Sequence, residues 1–174
     1  MFFRHVPYFR RYKTKWLMVI LLIIVSVVAV AYALFILSRH GVPESLSATY
    51  YLLGRNGWLL QCVLGTLAVL LYPVWFSVSG NSWVFLSFLG CASLLFVAFA
   101  PCFRLELEGM VHYSSAIVCC VCALGWQIAE GLWDVTLWFA FVGGMLCLRY
   151  RAQWCWCLEC VLVGSLIANL WRLS

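Results

Sequence analysis

The stretch WLMVILLIIVSVVAVAYALFILS, residues 16–38, carries no charged side chain. At a helical rise of ~1.5 Å per residue it is long enough to cross a hydrocarbon core of ~30 Å. It is apolar on every side, so no face is marked for water, and lipid is the solvent that suits it. Five of the eleven Lys and Arg precede it, at Arg4, Arg10, Arg11, Lys13 and Lys15. Such a basic flank holds the preceding segment on the cytoplasmic side of a membrane. Ala29-Val30-Ala31 or Ala31-Tyr32-Ala33 would also fit a cleaved signal peptide, but the apolar run continues to Leu37, which favours a retained anchor.

Working outward, the same pattern recurs at residues 58–77, 82–100, 110–129, 132–148 and 155–171. The chain of 174 residues is 66% hydrophobic and 10% charged, with a mean hydropathy of +1.02. Soluble domains run near half apolar and a quarter charged. The expectation is an all-α polytopic transmembrane helical bundle of about six helices, with residues 1–174 forming one transmembrane domain. Indole favours the headgroup level, where the ring is buried and its N–H stays wet. Nine of the ten tryptophans, all but Trp138, fall near an expected helix end. Trp16, Trp58, Trp83, Trp133, Trp154 and Trp156 mark starts, and Trp75, Trp126 and Trp171 mark finishes.

Six crossings place both termini on one side, and the basic amino terminus makes that side cytoplasmic. The expected location is a bacterial inner membrane. With the amino terminus inside, Arg172 joins the five basic residues there, while Arg39, Arg55, Arg104, Arg149 and Arg151 face outward. The clustered block before the first helix therefore carries the assignment. Whatever the orientation, the connections differ by side. Those around 78–81 and 130–131 are tight, whereas those at 39–57, 101–109 and 149–154 are long and hold most of the remaining polar residues.

The formal net charge of +5 reflects the basic flank and not a phosphate-binding face, so nucleic acid is set aside. Most of the ten cysteines lie in apolar runs, where a thiol behaves as a small hydrophobe. Cys102 and Cys155 alone stand close enough to one membrane face to form a bridge. Cys155, Cys157 and Cys160 lack the two separated ligand pairs of a structural zinc site. No metal and no cofactor are expected.

Candidate site residues gather on the side of the long connections. Pro43 and Glu44 suit the first turn of a short helix, and Ser45 and Ser47 precede Tyr50 and Tyr51. One reading makes a serine a nucleophile or ligand contact; the other makes the segment a capped interfacial helix. His112 heads a stripe with Ser115, Cys119, Cys122, Trp126 and Glu130 that is expected to face protein. Glu159 lies about one turn inside the last helix, where a carboxyl group is costly and usually meets a partner or a cavity. An arginine, Arg149 or Arg151, is one expected partner. Glu130 and Asp134, near the opposite tight turn, are read as solvated.

At Pro43-Glu44-Ser45-Leu46-Ser47-Ala48-Thr49-Tyr50-Tyr51, Ala100-Pro101, Val111-His112-Tyr113 and Trp154 to Glu159, the chain resembles a group of bacterial multi-pass membrane proteins. The resemblance implies a six-helix bundle and brings no activity with it. A more distant similarity is to the membrane hydrolases related to alkaline ceramidases, which use a serine, an aspartate and histidines around a metal. It implies roles for Ser45 or Ser47 and for His112, but the paired histidines of that superfamily's last helix are absent, and Asp134 falls on the other side.

Three functions follow as expectations. The leading one is binding of a membrane lipid or other amphiphile in a pocket lined by Ser45, Ser47, Tyr50, Arg55, His112 and Glu159. The alternative is a membrane-embedded hydrolase using His112 with Ser45 or Ser47, and Glu159 to orient the imidazole. A structural or partner-binding role is the third.

Overall fold

The computed structural model describes residues 8–80, 82–101 and 104–174. Arg4, Asn81 and Cys102, and with Cys102 the Cys102–Cys155 pairing, lie outside these residues. The described chain is all-helical, with α1 Tyr8–His40, the short α2 Thr49–Leu52, α3 Trp58–Val78, α4 Val84–Phe99, α5 Glu106–Ala129, α6 Trp133–Arg149 and α7 Trp154–Leu173. Two 3₁₀ turns, Gly54–Asn56 and Arg151–Gln153, lead into α3 and α7.

Four segments are long and apolar enough to cross a membrane: Lys15–His40, Gly54–Val78, Glu106–Ala129 and Arg151–Leu173. The remaining long helices, α4 and α6, have 16 and 17 residues. Both carry large exposed apolar side chains, among them Phe88 and Phe96 on α4 and Trp138 and Phe141 on α6. The protein is a polytopic helical membrane bundle.

Local sequence sets the helix limits. Gly41 and Gly131 take positive φ, 71° and 72°, a backbone state that glycine adopts without strain, and each follows a helix as its stop. The Gly131 N–H closes on the Ile128 carbonyl at 3.1 Å and the Leu132 N–H on Gln127 at 2.9 Å. α5 begins a turn earlier than its apolar pattern indicates, because Glu106 and Glu108 occupy its first turn, where the helix dipole favours negative charge. The short helix after Pro43 begins later than expected, at Thr49.

α3, α4 and α5 pack as successive antiparallel neighbours, and α7 returns against α1, α3 and α5, with α6 docked mainly on α7. Small residues allow close approach, as is usual where lipid removes the hydrophobic drive between helices. A Cβ placed on Gly90 of α4 would stand 2.8 Å from the Trp75 ring, and one on Gly164 of α7 2.7 Å from Phe139. Two clusters fill the interior. One contains Leu22, Leu71, Trp75, Trp126 and Leu170. The other contains Tyr32, Ile36, Leu64, Val97 and Trp156.

Trp75, Trp126 and Trp156 therefore depart from the headgroup role expected of them. They are buried, with 1%, 0% and 5% exposure, and the Trp75 and Trp126 rings meet edge to face at 5.6 Å. A position near a helix end fixes depth in the membrane. Rotation about the helix axis decides whether the ring meets headgroups or neighbours, and these three turn inward.

Candidate functional site

The long connections gather at one end of the bundle, here the loop end, and the tight turns at the other, the turn end. At the loop end the chain leaving α1 folds inward before α2, and its backbone groups need partners, since bilayer and protein interior offer no water in exchange. Neighbouring helices supply them. The Leu46 N–H donates to Glu159 Oε2 at 2.5 Å. The Trp156 N–H, unpaired within the first turn of α7 as helix geometry requires, donates to the Glu44 carbonyl at 3.1 Å. Thr49 Oγ1 donates to the Leu46 carbonyl at 2.6 Å and lies 2.5 Å from the Tyr32 hydroxyl of α1.

His112 completes this fastening from α5. Its Nδ1 lies 2.8 Å from the Ala100 carbonyl and its Nε2 2.7 Å from Ser47 Oγ. A carbonyl can only accept, so Nδ1 carries the proton, and Nε2 of a neutral ring then accepts from the Ser47 hydroxyl. Both groups are buried, His112 with 3% exposure and Ser47 with 9%. Both ring nitrogens are thus engaged by partners other than Glu159. The expected use of Glu159 to orient the imidazole is replaced by the Ala100 carbonyl, which does that from the end of α4.

The other candidates are placed as follows. Ser45 Oγ accepts the Ala48 N–H at 3.0 Å and so shapes the turn before α2. Tyr50 packs edge to face on Tyr51 and closely over Gly57, where an added Cβ would stand 2.8 Å from its ring. The Tyr51 hydroxyl accepts the Arg104 N–H at 3.1 Å, with the guanidinium 4.3 Å above the ring. Arg55 is exposed on the 3₁₀ turn before α3. Glu159 is bonded to backbone and not to Arg149 or Arg151; among the described residues the ion pair is Arg172–Asp134. Glu130 accepts the Gly80 N–H at 2.7 Å, so both acidic residues of the turn end have partners.

Beside the fastened segment lies a cavity of about 440 Å³, within the ~300–1,000 Å³ usual for small-molecule sites. Its walls come from α1, α3, α4, α5 and α7 and are almost wholly apolar, with Leu64, Leu67, Leu94, Val163 and Leu166 typical. Glu159 is its single carboxyl group, placed with Leu46 and Tyr32 toward the loop end, while Ser26 and Trp171 line it toward the turn end. Ser47, His112, Tyr50 and Arg55 do not line it. Of the expected pocket, Glu159 alone reaches this space.

A second polar cluster, at the turn end, was not legible as a site in the sequence. Asn169 Nδ2 donates to Gln127 Oε1 at 2.8 Å and approaches Thr136 Oγ1 at 3.1 Å, and Thr136 Oγ1 lies 3.0 Å from Gln127 Oε1. Gln127 and Asn169 are fully buried. The available signal was a polar side chain near the turn end of each of three apolar runs, Gln127, Thr136 and Asn169, and such groups in a membrane turn toward protein.

Fold and site together define a polytopic helical membrane protein whose inward loop is fastened beside an internal apolar cavity. Comparison with protein-family models, with curated proteins and with solved structures gives no match. Among the described residues, no group of three or more His, Cys, Asp and Glu side chains is arranged to hold a metal ion.

Proposed function

We propose that the protein binds a membrane amphiphile, with the chain in the apolar cavity and the polar head at Glu159. The carrying observation is the pairing of about 440 Å³ of apolar space with a single carboxyl group at one end. A carboxylate accepts up to about four hydrogen bonds, so the bond from Leu46 leaves Glu159 able to receive a donor from a ligand. Heads that donate, such as hydroxyl, amide or ammonium groups, fit this end.

Mass spectrometry of lipid retained through detergent purification tests the reading. Glu159→Ala is expected to lower retention, and so is Ala33→Phe, which fills the cavity from α1, while Arg55→Ala leaves it unchanged. Retention equal to wild type in both Glu159→Ala and Ala33→Phe removes the proposal.

One geometry favours a second reading, a metal-free serine hydrolase. Ser47 Oγ stands 2.7 Å from a histidine whose other nitrogen is held by a carbonyl, an arrangement able to draw the hydroxyl proton toward Nε2. Leu46, the neighbour of Ser47, lines the cavity. Labelling by a fluorophosphonate, absent in Ser47→Ala, would put catalysis first; absence of labelling in folded wild type leaves the pair as a fastening.

A further inference from the structure

The cavity has a closed back and an open side. Lining residues from α3, α4 and α5 are buried or half-buried, with Leu64, Leu67, Leu71, Trp75, Cys91 and Ala123 all buried. Its exposed lining residues are Val30 on α1 and Cys160 and Trp171 on α7. Small residues stand among the lining of these two helices, Ala29 and Ala33 on α1 and Ala168 on α7, beside the larger Val30, Ile167 and Trp171. Small residues usually let membrane helices close on each other; here they border a slot.

Polar contacts tie α1 to α7 at both ends of that slot. Trp171 Nε1–H donates to Ser26 Oγ at 3.0 Å at the turn end. At the loop end Tyr32 of α1 meets Thr49, and the same segment gives the Leu46 N–H to Glu159 of α7. Between these ties the α1 surface beside the slot is apolar and exposed, with Val27, Val30 and Leu34 at 60%, 57% and 60%. Since α1 and α7 belong to segments able to span a membrane, the slot opens onto acyl chains.

We infer that the space between α1 and α7 is a lateral portal, admitting an alkyl chain of an amphiphile from the bilayer into the cavity; this rests on the amphiphile-binding reading. The length of the cavity suits an alkyl chain. From Glu159 to Trp171 α7 advances by roughly 18 Å. The cavity of about 440 Å³ lies along that length of α7, a shape that suits an alkyl chain laid beside the helix. A chain passing sideways stays in hydrocarbon throughout, whereas a path through the loop end would require the Ser47–His112 and Leu46–Glu159 bonds to open.

The test uses the full chain in phosphatidylcholine vesicles with a diazirine-bearing hexadecanol, illuminated at increasing times and mapped by mass spectrometry. On wild type, the earliest labelled peptides are expected to surround Val30 and Gly164, with label at Leu67 and Ala123 following. Ala29→Trp and Ala168→Trp, at the slot, are expected to slow labelling by roughly tenfold and to leave its final extent near wild type. Ala123→Phe, at the back, lowers the final extent. First labelling on the α3–α5 side, or wild-type rates in both slot variants, overturns the portal while Ala123→Phe still upholds the cavity. Equal final labelling of wild type and Ala123→Phe overturns the cavity reading and the portal with it.

Discussion

At the loop end, buried polar side chains hold an irregular segment against the helices; at the turn end, they hold helices to one another. Thr49 and Glu159 bond the backbone of residues 44–49 and His112 bonds the Ser47 hydroxyl among them, a segment that its own turns satisfy only in part. Gln127 and Asn169 serve no loop, and of the connection Thr136 reaches only the Leu132 carbonyl, because the turn beside them closes in two or three residues with its own hydrogen bonds. They join α5, α6 and α7. The difference teaches that connection length decides what a buried polar group is for. A long connection inside a membrane bundle consumes side chains as backbone partners, and a tight one releases them to set helix packing.

Substitutions at the two ends can break or sharpen this contrast. The largest effect is expected at the loop end, where His112→Ala leaves the buried Ser47 hydroxyl and Ala100 carbonyl without their ring partner. At ~1–3 kcal/mol for each stranded group, the loss is about 3 kcal/mol, read as a fall in Tm in detergent, with faster amide exchange confined to residues 41–53. Exchange rising equally in α6 would show the two ends to be one unit. Next comes Asn169→Ala, which removes a donor shared by α5 and α6. Polar contacts between membrane helices reach only ~1.7 kcal/mol, so a loss of about 1 kcal/mol is expected, with faster exchange in α6 and none in residues 41–53. Tyr32→Phe removes one hydroxyl from the loop-end set and should cost about 0.6 kcal/mol by the same scale, detectable as a small fall in Tm. Smallest is Arg172→Ala. Its partner Asp134 is exposed, water and headgroups screen such pairs, and Tm should not move measurably.

Much of this contrast could be anticipated from the sequence. The run at 58–77 became α3 Trp58–Val78 and that at 132–148 became α6 Trp133–Arg149, because apolar length against a fixed membrane thickness is a one-dimensional property. Ser47, His112 and Glu159 could each be singled out as polar groups on one side. Which of them touch could not be read, since Ser47 and His112 are separated by 65 residues and Leu46 and Glu159 by 113, and helix order in space is not written in helix order along the chain. Tryptophan position failed for a related reason. Depth is encoded by distance from a helix end, but a helix apolar on all sides carries no mark of which face turns inward.

The Leu46–Glu159 and Trp156–Glu44 bonds also impose an order on biosynthesis. A ribosome delivers the amino-terminal part of a chain first, so α1 and the segment after it are made while their partners on α7 do not yet exist. Contacts across such separations form slowly, because a long chain must close before they are rewarded. The Glu44 carbonyl and the Leu46 N–H therefore lack their α7 partners until the last helix inserts. A nascent chain stopped before Trp154 would hold five of its long helices and no closed loop end, an exposed intermediate suited to recognition by quality-control proteases.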